Sequence, residues 1–248
     1  INIFINQGSK LTDLVVLVIS MLTLGQIILC STFLLTRLSQ AALYLPLAIF
    51  FLANGVIALG PLVFVLFPEW NTLYIAIMFS AWLLLAPMLW LYVEGLTSSK
   101  PWHLQKKHIL QFLPFTLGLI VGALILSLPV AIRQAIFFEN VDIDSGFPLL
   151  VVVAIFLLML VWSIQSGYYF IRILVRLSQY RNKLKNLFAN NEHRELHWLT
   201  FLILVIGITW FAAFSSLMST LVVEYSIFGH RLGAILLLIL VWSFAHFS

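Results

Sequence analysis

The spacing of charge along this chain limits its fold more than any other feature. No Asp, Glu, Lys or Arg lies between Asp13 and Arg37, Arg37 and Glu69, Glu69 and Glu94, Lys107 and Arg133, Asp144 and Arg172, or Glu195 and Glu224. A helix needs roughly 20 apolar residues to cross the hydrocarbon of a bilayer, and each of these gaps is long enough. Within lipid the backbone must pair its own polar groups, which a helix does. A shorter charge-free stretch follows Arg231, and its helix is expected to begin near Phe228. We therefore expect an all-α membrane protein, one domain over residues 1–248, folded as a seven-transmembrane helix bundle. Composition agrees, because only 9% of residues are charged and 62% are hydrophobic. Soluble domains carry about 25% charged residues, so this chain cannot cover its surface with polar groups.

Sorting the charges by loop gives an orientation. Arg37, Lys100, Lys106, Lys107, Arg172, Arg176, Arg181, Lys183, Lys185 and Arg194 fall on one side, ten of the 13 Lys and Arg. Lys10, Arg133 and Arg231 fall on the other, with Asp13, Glu69, Glu139, Asp142, Asp144 and Glu224. Lys and Arg concentrate in cytoplasmic loops, so the expected N-terminus is outside and the C-terminus cytoplasmic. Topology also explains the net charge of +4 and pI near 9.3 without nucleic acid. The segment LWLYVEGLTSSKPWHLQKKH, Leu89 to His108, is then the cytoplasmic exit of helix 3. Its lysines hold the following loop at that face.

The expected helices run from about Asp13 to Thr36, Ala42 to Phe67, Thr72 to Leu96, Ile109 to Arg133, Phe147 to Leu177 and Asn191 to Val223, and from Phe228 onward. Pro61, Pro87, Pro114 and Pro129 lie in or near them, each removing a backbone donor that neighbouring helices must compensate. Helix 5 outlasts the membrane and carries Arg172 and Arg176 one turn apart. Asn190 or Asn191 caps helix 6, with Glu192 and Glu195 suited to the positive end of its dipole. The N-terminal INIFINQGSKLTD lacks the marks of a signal peptide. Both chain ends are expected to be cut, since residue 1 is Ile and the seventh run has no polar flank.

Several chemistries are not expected. Retinal needs a lysine inside the bundle, and all six lysines lie in loops or the N-terminal segment. HRELH, His193 to His197, places two histidines on one helix face but lacks the Glu directly after the first that a zinc protease requires, and no third ligand is near. No serine nucleophile motif, phosphate loop or intramembrane carboxylate pair occurs, so the chain reads as no enzyme, with no metal and no cofactor. The lone Cys30 reads as a small packed hydrophobe.

The intramembrane polar groups are Thr23, Gln26 and Cys30 on helix 1, Asn54 on helix 2, and Trp162, Gln165 and Tyr169 on helix 5. They either line a pocket or tie helices together. Glu94 opposes the dipole of helix 3 and is expected to clasp a cation, with Lys100, Arg172 and Arg176 as candidates. At the opposite end Trp70, Tyr74, Arg133, Glu224, His230 and Arg231 form the expected ligand-binding region for a small polar or amphipathic molecule. The rival reading of its aromatics is an interfacial belt.

Two stretches add a resemblance. APMLWLYVEGLTS and LQFLPF, between Ala86 and Phe115, resemble helix 3 and the start of helix 4 in the heptahelical membrane module of bacterial AraC-type regulators. There a Y-V-x-x-L precedes a loop and H-x-x-P. Pro87, Trp90, Tyr92, Val93, Leu96 and Pro114 match, while Gln111 replaces the histidine and Glu94 a commonly basic residue. YRNKLKNLFANNEHRELHWL resembles that module's loop into helix 6 through Tyr180, Leu184, Lys185, Phe188, Leu196, Trp198 and Leu199, with Ala189 in place of a serine. The resemblance implies a cytoplasmic helix-turn-helix pair after helix 7, so that DNA would be a partner only through a domain beyond this chain. The expected function is a sensor passing an extracytoplasmic or membrane-borne signal inward. The expected partners are the lipid bilayer, a small ligand and a second copy in a homodimer. The alternatives are a small transporter or permease and a structural membrane subunit.

Overall fold

The computed structural model describes residues 14–38, 42–98, 102–139, 146–187, single positions between 204 and 215, and 230–247. Among them every regular element is helical. The helices are α1 (Leu14–Thr36), α2 (Tyr44–Ala58), α3 (Gly60–Leu66), α4 (Asn71–Leu96), α5 (Leu113–Ser127), α6 (Val130–Phe138), α7 (Gly146–Leu187) and α8 (His230–Phe247). Short 3-10 turns cover Pro68–Trp70 and Lys106–Phe112. Five stretches are long and apolar enough to cross a membrane: Leu14–Thr36, Tyr44–Leu66, Pro68–Leu96, His108–Ser127 and Gly146–Lys183. Of the seven expected, the sixth falls mostly outside the described residues, and the seventh corresponds to α8, whose apolar core is the shorter Gly233–Ser243.

Proline redraws three boundaries. Helix 2, expected unbroken from Ala42 to Phe67, divides at Leu59, two residues before Pro61. Helix 4, expected to reach Arg133, stops at Ser127. Leu128 precedes Pro129 and takes the extended conformation that a following proline favours, with ψ at 148°. Arg133 therefore sits on the separate α6. The start of helix 3 moves only slightly, to Asn71, after the 3-10 turn at Pro68.

Helix 5 gains length instead. Gly146, at φ 80°, makes the left-handed turn that leads into α7. No Gly or Pro then follows Gly167 before the helix ends at Leu187. Its last segment, LSQYRNKLKNL, is rich in good helix formers. At 42 residues α7 is about 63 Å long, roughly twice the hydrocarbon thickness.

α4 is the centre of the bundle and packs on α2, α5 and α7, while α1 packs on α2 and α8. Two apolar clusters divide the interior by level. One gathers Leu34, Leu47, Trp90, Tyr92 and Leu177 at the end where Arg37, Arg172 and Arg176 lie. The other gathers Tyr74, Phe79, Val121, Phe137 and Val151 at the opposite end, near Arg133.

The α4–α5 contact is unusually close. A Cβ at Gly118 would lie 2.9 Å from Ser80 Cα, and one at Gly122 would lie 2.9 Å from the Ala76 carbonyl oxygen. The sequence GLIVG thus acts as a small-xxx-small face that lets two backbones meet, with Ala76 and Ser80 as the matching small residues of α4. The spacing is visible in the chain, although only the packing identifies which helix it meets.

Candidate functional site at the α4–α7 seam

α4 and α7 run in the same direction and are joined at four levels. Trp82 and Trp162 pack with ring centroids 5.7 Å apart. Gln165 Nε2 donates to the Leu83 carbonyl at 2.9 Å. The Arg172 guanidinium lies 4.0 Å over the Trp90 ring. Arg176 Nε donates to Thr97 Oγ1 at 2.8 Å.

The Gln165 bond has a definite cause. Leu83 is four residues before Pro87, so its carbonyl has lost the N–H that would close the helical turn. An amide from another helix supplies the donor. Replacing Gln165 by Leu should therefore destabilise the protein by about 1–2 kcal/mol, the upper part of the range for interhelical hydrogen bonds in membranes. Pro87→Ala restores the intrahelical donor, so the same Gln165→Leu change should cost much less in that background. Thermal unfolding of the four proteins in detergent checks this, and equal costs in both backgrounds would remove the assignment.

A second proline is compensated in the same way. Pro61 deprives the Ile57 carbonyl of its donor, and Tyr74 Oη donates to it at 3.1 Å. Gly60 makes room, since a Cβ there would lie 2.7 Å from the Tyr74 oxygen. Tyr74 is buried, and its ring packs edge-on against Phe64, 5.7 Å between centroids. Phe64 in turn packs edge-on against Phe138 of α6.

The other residues of the expected ligand-binding region fare differently. Arg133 is half-buried on α6, and its Nε is enclosed with no hydrogen-bond partner among the described residues; the same holds for Asn71 Oδ1 at the start of α4. Trp70 is 61% exposed beside the exposed Phe67, a placement suited to an interfacial aromatic. Glu224 lies outside the described residues. His230 and Arg231 open α8, but their side chains are also outside them. So are His193, His197 and the helix 6 cap.

At the basic end two of the expected partners of Glu94, Arg172 and Arg176, are engaged elsewhere. Glu94 Oε2 lies 3.3 Å from His108 Nε2, while Arg172 is on Trp90 and Arg176 on Thr97. Lys100 lies outside the described residues. The Gln105 N–H donates to His108 Nδ1 at 3.1 Å, which leaves the ring proton on Nε2, facing the carboxylate. Trp102 stacks on the His108 ring at 5.6 Å and covers Gly95. The sequence signal for this pairing was weak, because His108 follows two lysines and reads as one more loop cation.

The remaining intramembrane polar groups bond within their own helices. Asn54 Nδ2 donates to the Phe50 carbonyl at 2.8 Å, Thr23 Oγ1 to the Ile19 carbonyl at 2.8 Å, and Gln26 Nε2 to Cys30 Sγ at 3.6 Å. No hydrogen bond joins Gln26, Asn54 and Gln165 among the described residues. In comparisons with protein-family models, curated proteins and solved structures, the chain matches none.

Proposed function

We propose that this chain is a membrane-embedded sensor module of a bacterial inner membrane, with its N-terminus outside and its C-terminus cytoplasmic. It passes an extracytoplasmic or membrane-borne signal to a cytoplasmic output. The observation that carries this reading is α7, a continuous helix that packs into the cluster around Tyr74, is tied along α4 as far as Thr97, and runs on to Leu187. A shift at one end of such a rod moves the other, so a ligand that favours one seating over another changes what the cytoplasm meets. Signal entry is at the Arg133 end, where the enclosed Arg133 Nε and Asn71 Oδ1 offer a donor and an acceptor to a small polar or amphipathic ligand. The resemblance supplies the output, a DNA-binding domain beyond Ser248, and with it transcription regulation. A homodimer would let paired α7 helices act together.

Two measurements test the reading. With Cys30→Ala as background, a cysteine at Asp144 should be labelled from outside intact cells, and one at Asn182 only after the inner membrane is breached. The reverse pattern overturns the orientation. For function, the chain is fused to a transcriptional reporter through its C-terminus. Gln165→Leu and Trp90→Ala should change basal output several-fold, because they loosen α7 from α4. A reporter indifferent to both, together with solute uptake into proteoliposomes that Asn54→Leu abolishes, would make the chain a transporter.

A further inference from the structure

We propose that Arg172 and Arg176 form a binding site for the phosphate headgroup of an anionic phospholipid, at the level where α7 leaves the membrane. The two arginines are one helical turn apart, about 6 Å along the axis. Neither is within ion-pair distance of a carboxylate among the described residues. Of the three carboxylates there, Glu69 and Glu139 belong to the opposite end, and Glu94 is turned to His108. Among the described residues, no carboxylate compensates this positive charge.

It is also held in place. Arg172 rests on the ring of Trp90, which is 5% exposed, and its Nη1 donates to Tyr168 Oη at 3.3 Å. A guanidinium stacked on an indole keeps its in-plane N–H edge for an acceptor, and five donors are too many for one phenol. Arg176 spends Nε on Thr97 and retains four N–H groups. Arginines that merely reach for water would not need two partners on a neighbouring helix.

The surroundings point to a lipid rather than a soluble anion. Both arginines are only half-buried and border a stripe of α7 made by Ile164, Tyr168, Ile171 and Val175, each more than half exposed. These recur at helical spacing and face away from the bundle. An acyl chain fits along the stripe while its phosphate meets the guanidinium pair. Tyr168, whose hydroxyl already touches Arg172, stands where headgroup and chain meet.

Native mass spectrometry of the purified full chain tests the site, comparing phosphatidylglycerol with phosphatidylcholine of the same acyl chains. Wild type should retain phosphatidylglycerol preferentially. R172Q/R176Q should weaken that binding roughly 30-fold, since each basic side chain near an anionic headgroup is worth about a factor of five. R181Q, which removes an exposed arginine further along α7, should not change it. Equal affinity for the two lipids overturns the site, as does a loss in R181Q matching that of the double variant. Displacement of the lipid by millimolar inorganic phosphate would make it a soluble-anion site and overturn the lipid assignment. Should the double variant fail to purify, R172Q and R176Q are measured singly, and each should lose about fivefold; no loss in either overturns the proposal.

Discussion

Replacing Gly118 and Gly122 together by leucine should separate α5 from α4 and cost about 2–6 kcal/mol, taking overpacking at 1–3 kcal/mol per site. A drop in Tm of roughly 10 °C is expected from a chain of this size. The reason is the nature of the obstacle. At both positions the first atoms met are backbone, Ser80 Cα and the Ala76 carbonyl oxygen, and these cannot swing aside as a long side chain can. Helices in lipid gain little from hydrophobic exclusion, so close backbone contact is a large part of what holds them together. Even alanine at either site should be felt, because the clash is with Cβ itself. Gly25 of α1 provides the control. Nothing lies within 4 Å of a Cβ built there, and Gly25→Leu should leave Tm unchanged or raised. If the double variant and Gly25→Leu melt alike, the close α4–α5 contact is not what holds this pair.

Breaking the Glu94–His108 pair should produce the next largest loss, about 1–3 kcal/mol, the cost of leaving a buried polar group without its partner. His108 is 2% exposed and the Glu94 side chain 22%, so the carboxylate keeps some water and the cost falls short of a fully buried pair. His108→Leu leaves the Glu94 carboxylate without its partner, removes the stacked partner of Trp102 and takes away the acceptor of the Gln105 N–H. One tie to α4 and two within the loop fail at once, so limited proteolysis between residues 98 and 108 should rise with the fall in Tm. Glu94→Gln should cost less, because an amide oxygen still stands opposite Nε2 and leaves the loop contacts of His108 in place. The double variant His108→Leu with Glu94→Gln should be little worse than His108→Leu alone, the signature of a direct pair. Strict additivity would show that the two act separately. His103 is exposed in the same loop, and His103→Leu should change neither readout.

Much of this architecture is legible in the chain itself. Charge-free runs of sufficient length dictate helices in lipid, because no other local form satisfies the backbone there. The boundaries of α1, of α4 and of the start of α7 followed within a residue or two from where charge and Pro or Gly interrupt those runs. The prolines also announced that carbonyls would need outside donors. What the chain could not announce was which side chain would reach them. Gln165 to Leu83 spans 82 positions and Tyr74 to Ile57 spans 17, and both depend on how helices are seated against one another. The same limit governs the charges. Glu94 opposes the dipole of α4 and was expected to clasp Lys100, Arg172 or Arg176. Packing instead put Arg172 on the Trp90 indole and Arg176 on Thr97, and folded the loop back to bring His108 to the carboxylate. Periodicity and charge specify one-dimensional order, and they set each helix and its level in the membrane. The pairing of polar groups is decided by distances of a few ångströms between surfaces remote in sequence, and only the assembled bundle sets those.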